Sequence, residues 1–119
     1  MSKPLLGLVL GGVLGIFDGL TALFYPEARP MIATIVIGST FKGIITGVAA
    51  GFFARKVQSL PLGIVFGLAV GLVLSYAVAA MPDPSLSRPY YLEIMLPGSL
   101  VGLIVGYATQ RQPRAAAAP

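Results

Sequence analysis

Residues 5–25 read LLGLVLGGVLGIFDGLTALFY. At 1.5 Å per residue a helix of this length spans about 30 Å, the thickness of a bilayer's hydrocarbon layer. The stretch carries a single charge, Asp18, and a glycine at every fourth position: Gly7, Gly11, Gly15 and Gly19. Residues four apart share one helical face. The pattern therefore predicts a transmembrane helix with a smooth stripe against which a second backbone can pack closely. Lys3-Pro4 precedes the stretch and Pro26-Glu27 follows it.

Working outward, Pro and charge mark three further stretches. One runs roughly from Met31 to Ala54, one from Leu60 to Met81, and one from Tyr90 to Thr109. Lipid offers no hydrogen bonds to an open backbone, so each is expected to be a helix rather than a strand. Nine of the ten prolines fall at helix starts, in loops or in the tail. Pro97 alone lies inside a segment, where its missing N–H removes the bond to the Glu93 carbonyl and predicts a bend. The first segment has the basic start of a secretory signal peptide. Its apolar run is longer than a usual signal core and no A-x-A site follows, so it is expected to be retained.

Composition agrees. Of 119 residues, 56% are apolar and 10% charged, whereas soluble domains carry about 25% charge. So few charges could not wet the surface of a small soluble chain. An ordinary soluble enzyme, a disordered chain and a nucleic-acid binder are thereby excluded. The absence of Cys and His removes disulfides, thiolate chemistry, the commonest metal ligand and the usual neutral-pH acid/base. No catalytic set, metal site or cofactor is expected, and the chain is not expected to be an enzyme. The glycine clusters at 11–15 and 38–43 match neither dinucleotide nor P-loop spacing, and they lie within apolar segments.

The glycine pattern recurs in every segment. Gly43, Gly47 and Gly51 follow Ser39 in phase, Gly63, Gly67 and Gly71 lead into Ser75 and Ala79, and Gly98, Gly102 and Gly106 complete the set. Thirteen of fifteen glycines lie in these ladders, so they are assigned to helix packing. They also suggest a duplication. Residues 7–26 match 63–82 at an offset of 56, and the second segment matches the fourth at an offset of 55. The expected fold is an all-α integral membrane protein of four transmembrane helices, built as two tandemly repeated, glycine-ladder hairpins. The expected organisation is one transmembrane domain over 1–119, with hairpin one at 5–54, hairpin two at 60–109 and a short polar tail at 110–119. Each hairpin crosses twice, which predicts a pseudo-two-fold axis along the membrane normal.

Lys3, Arg55, Lys56, Arg111 and Arg114 flank one side of the predicted bundle, against Arg29 and Arg88 on the other. The positive-inside rule then places both termini in the cytoplasm of a multi-pass protein of the cell's inner (plasma) membrane. Tyr90 and Tyr91, with Arg88, are expected to anchor the outer interface.

Asp18 and Lys42 are the candidate intramembrane charge site, with Glu93 near the outer end of the fourth helix. Charge at such depth costs several kcal/mol on insertion scales and marks function or a required pair. A tight turn at 26–30 would set Asp18 level with Gly38 and Lys42 about one turn deeper, within reach of a snorkelling Lys. Thr21, Ser39 and Thr40 are expected to add hydrogen bonds. Asp18 aligns with Leu74 and Lys42 with Pro97, so this charge belongs to the first hairpin only. Two functions compete. The favoured expectation is a structural or accessory subunit of a larger membrane complex, since the third and fourth segments offer no evident polar pathway. The alternative is a small oligomeric ion- or proton-linked transporter or channel using Asp18 and Lys42. The expected partners are the lipid bilayer and other membrane subunits or further copies of the chain, with no nucleic acid.

Overall fold

The computed structural model describes residues 2–81 and 90–112. Pro82, Asp83, Arg88 and Arg114, and the tail beyond Gln112, lie outside the described residues. Four helices account for most of the rest: α1 (Lys3–Leu20), α2 (Ile32–Lys56), α3 (Leu60–Ala79) and α4 (Tyr91–Arg111). All four are long and apolar enough to cross a membrane, which suggests a membrane protein. Their starts follow local chemistry. The Ser2 and Ser59 hydroxyls accept from Leu5 N–H and Leu62 N–H at 3.3 and 3.4 Å. Pro4 and Pro61 sit in the first turns, where a missing N–H is harmless. The first segment ends earlier than its apolar run implies, because α1 tightens at Thr21–Phe24 into a 3-10 turn. A second 3-10 turn, Arg29–Met31, leads into α2. Helix α4 continues through Pro97.

Helices α1 and α2 form one hairpin, and α3 and α4 form the other. The hairpins meet through α2 and α4, with smaller contacts of α1 on α4 and of α2 on α3. The distribution of side chains is the reverse of a soluble bundle's. Small residues fill the inside, and all thirteen spaced glycines are buried. Large apolar groups such as Phe17 (62% exposed), Phe24 (79%) and Phe41 (63%) point outward. In water such a surface is far more apolar than a monomer's usual patches. Between the hairpins, Ala50, Val101 and Val105 form a small dry centre with Leu10 and Leu14 against it.

The helices are held at backbone contact. A methyl group on Gly7 would overlap the Gly47 carbonyl, and one on Gly47 the Gly7 carbonyl; Gly11 and Gly43 face each other in the same way. Farther along, Gly15 lies on Ser39 and Gly19 on Val36. In the other hairpin Gly67 faces Gly102, Gly71 faces Gly98, and Gly106 faces Gly63. At the offsets of 56 and 55, the counterpart of Gly7 against Gly47 is Gly63 against Gly102. The observed partner of Gly102 is Gly67, four residues from the Gly63 that those offsets would pair with it.

Candidate functional site

Lys42 Nζ lies 3.1 Å from Asp18 Oδ2, and both side chains are buried, 8% and 6% exposed. The contact is a charge pair rather than an aligned hydrogen bond, since Asp18 Oδ2 accepts none. Its register differs from expectation. Because Gly19 rests on Val36 in this antiparallel pair, Asp18 is level with about Ile37 rather than Gly38. Lys42 therefore starts five residues, about 7.5 Å, deeper. The lysine stem, leaning back toward the start of α2, and the Asp18 side chain together close that distance.

The pair forms the floor of a cavity of about 700 Å³ at the end of the bundle away from the termini. Thr34, Ser39 and Glu93 contribute polar groups to its wall, and Met31, Ile35 and Ile94 are among its apolar ones. Tyr25, Tyr90 and Tyr91 line its rim. Tyr90 donates to Glu27 Oε1 at 2.6 Å and meets Tyr25 edge-on, with ring centroids 5.6 Å apart. Tyr91 stacks on Tyr76 of α3 at 5.9 Å. Among the described residues none deeper than Lys42 lines the cavity, and the packed centre of Ala50, Val101 and Val105 lies farther along the bundle, so the space ends at the pair.

Other expectations are placed differently. The Thr21 and Thr40 hydroxyls do not bond the Asp18 carboxylate; they donate to the backbone carbonyls of Asp18 (2.6 Å) and Val36 (2.7 Å). A hydroxyl in an apolar helix is most easily satisfied by its own backbone, as Thr46 and Ser99 also show. Glu93 is half-buried and shares the cavity with Asp18 and Lys42. The second hairpin thus does bring polar groups to the first: Glu93 from α4, and from α3 the buried Ser75. Ser75 Oγ has no hydrogen-bond partner. A methyl group on Gly98 would collide with that hydroxyl and touch Lys42 Nζ, so ammonium and hydroxyl flank the same glycine.

Lys3, in sequence a flanking positive charge, is only 5% exposed. Its Nζ donates to the carbonyls of Thr109 (2.9 Å), Gln110 (3.0 Å) and Gln112 (2.6 Å). The end of α4 leaves carbonyls without donors and carries the negative end of the helix dipole, so a neighbouring ammonium is drawn there. Gln110 Nε2 donates to Val57 O at 2.6 Å, which ties the same end to the α2–α3 connection. A lysine beside the N-terminus of one helix, in a bundle whose last helix ends at the same level, was the available signal.

No protein-family model, curated protein sequence or solved structure matches the chain. Fold and site together define a four-helix bundle, with helices long and apolar enough for a membrane, that holds a buried charge pair at the floor of a one-ended cavity.

Proposed function

We propose that this chain is an integral membrane carrier that takes a small ion or solute from one side through the cavity and holds it at Asp18 and Lys42. The observation that carries the proposal is the position of the pair. A purely structural ion pair is best sealed among packed side chains, where no competing ligand can reach it. This one instead floors a cavity within the usual range for small-molecule sites. The blind end favours a carrier over an open pore: Ala50, Val101 and Val105 would have to part before anything moved on. The bundle is read as lying in the inner membrane, with both termini cytoplasmic and the cavity facing outward. The two hairpins are read as copies of one ancestral unit, with the charge kept or gained on one side only.

The accessory-subunit reading rests on grooves for close helix packing and on third and fourth segments without an evident polar pathway. All thirteen spaced glycines are used inside the chain, and Glu93 and Ser75 supply polar atoms near the pair, so the carrier reading has the better support. The test is flux of protons and of monovalent ions into liposomes containing the purified protein. Wild-type flux that is lost in Asp18→Asn and stays lost in the more stable Asp18→Asn/Lys42→Met double variant supports a carrier. Flux that survives Asp18→Asn, or foreign chains that co-purify stoichiometrically in mild detergent, returns the chain to an accessory role.

A further inference from the structure

The cavity identifies a class of ligand, given that it is a binding site as proposed above. We propose that it takes an amphipathic monovalent organic cation, an amine or quaternary ammonium, and that the Lys42 ammonium is the site's own tethered stand-in for that cation.

Three observations converge. The wall is mostly apolar, and its rim carries three tyrosines, a residue type that recognises cations where a ring face is accessible. Among the described residues that line it, Asp18 and Glu93 are carboxylates and Lys42 is an ammonium, with Glu93 already engaged by another group. The ammonium also comes from the deeper position, so a ligand entering from the mouth reaches Asp18 first.

The pair itself is built to exchange. Asp18 Oδ2 is buried and lies 3.1 Å from Lys42 Nζ, in a contact poorly aligned for a hydrogen bond. A ligand ammonium approaching from the cavity could supply a better-aligned one. Lys42 then needs another acceptor, and Ser75 Oγ, fully buried and without a partner, lies beside its Nζ across Gly98. A buried hydroxyl left unpartnered costs stability; here it gives the displaced ammonium a place to go. Lysine at Asp18 thus competes with the ligand for the same carboxylate. Any fraction of time it occupies that carboxylate weakens the apparent affinity by the same factor.

The sign of the Lys42 effect separates this proposal from a site for anions. Equilibrium dialysis of the purified full-length protein against tritiated benzyltrimethylammonium measures binding directly, with unlabelled benzylammonium, benzyl alcohol and benzoate as competitors. Benzylammonium should displace the probe, with benzyl alcohol and benzoate at least about tenfold weaker. Asp18→Asn should abolish binding. Lys42→Met should tighten it by about tenfold or more, because the tethered competitor is gone. Should Lys42→Met fail to fold, Lys42→Gln and the wild-type competitor series carry the same decision. Weaker cation binding in the Lys42 variants, or benzoate as the best ligand, would overturn the inference and leave the carrier reading standing. Absence of probe binding alongside Asp18-dependent flux would also overturn it alone. Absence of both would remove the carrier reading and the inference together.

Discussion

The two hairpins are made of the same materials and do different things with them. In the first, Gly7 and Gly11 meet Gly47 and Gly43 backbone to backbone, and the tight 3-10 connection fixes that register. In the second, Gly67 rather than Gly63 meets Gly102, and the last rung, Gly63, also meets the flexible Gln110 side chain. The first hairpin carries Asp18 and Lys42, whereas the second has Leu74 and Pro97 at the aligned positions. A smooth glycine face specifies close approach, but it does not by itself specify which rung meets which. Every rung looks alike, so a slip of four residues restores the same contact. In the first hairpin, register is over-determined by a short turn and a charge pair.

The largest effect should come from filling the tightest contacts. Gly47→Leu puts four carbons into the space of the Gly7 carbonyl, and Gly67→Leu does the same at Gly102. Each should cost more than about 3 kcal/mol and show as lost yield and a lowered melting temperature in detergent. Normal yield and stability for both would mean that the helices do not pack as described. Next in size is the charge pair. Asp18→Asn or Lys42→Met alone strands a buried partner and should cost about 3–5 kcal/mol. The double variant should recover much of that loss, and a coupling energy near zero in the double-mutant cycle would dissolve the pair.

Smaller effects sharpen the contrast between the hairpins. Lys3→Met removes three donors from the end of α4 and should cost about 1–3 kcal/mol. The loss should appear as faster amide exchange in the last turn of α4 while the α1–α2 turn keeps its protection; uniform acceleration would count against a local latch. Smallest is alanine where no backbone stands in the way. At Gly38 there is nothing within 4 Å, whereas at Gly63 the Gln110 side chain must shift. Gly38→Ala should stabilise α2 by up to about 1 kcal/mol through helix propensity, and Gly63→Ala should cost about 1 kcal/mol. Gly47→Ala, by contrast, should be clearly destabilising. Equal melting temperatures for the three variants would erase the distinction between backbone-limited and side-chain-limited contacts.

Much of the architecture was legible in the sequence because its signals are strong and local. Apolar runs of bilayer length and prolines at their edges marked four helices. Asp18 and Lys42 stood out because charge in an apolar helix is costly enough to need a partner. What escaped was set by register and by groups that look ordinary in sequence. The pairing of Gly102 with Gly67 leaves no local trace, because Gly67 and Gly63 are equivalent until a partner is chosen. Ser75 reads as one more small residue in a ladder, and only packing against Gly98 shows that its hydroxyl sits beside Lys42. Lys3 resembles any flanking charge until α4 ends beside it. The cavity arises from contacts among both hairpins and the α1–α2 turn, which no single window of sequence contains.

The central claim is that Asp18 and Lys42 lie under a cavity open on one side only. The chain has no cysteine, so a single one can report access. Ser39 lines the cavity, whereas Thr46 is buried one turn beyond Lys42. Ser39→Cys and Thr46→Cys, in sealed vesicles of each orientation, are treated with a membrane-impermeant methanethiosulfonate. Ser39→Cys should react only from the side of the α1–α2 turn, and Thr46→Cys from neither side. Labelling of Ser39→Cys from the side of the termini, or its protection from both sides, would contradict the account.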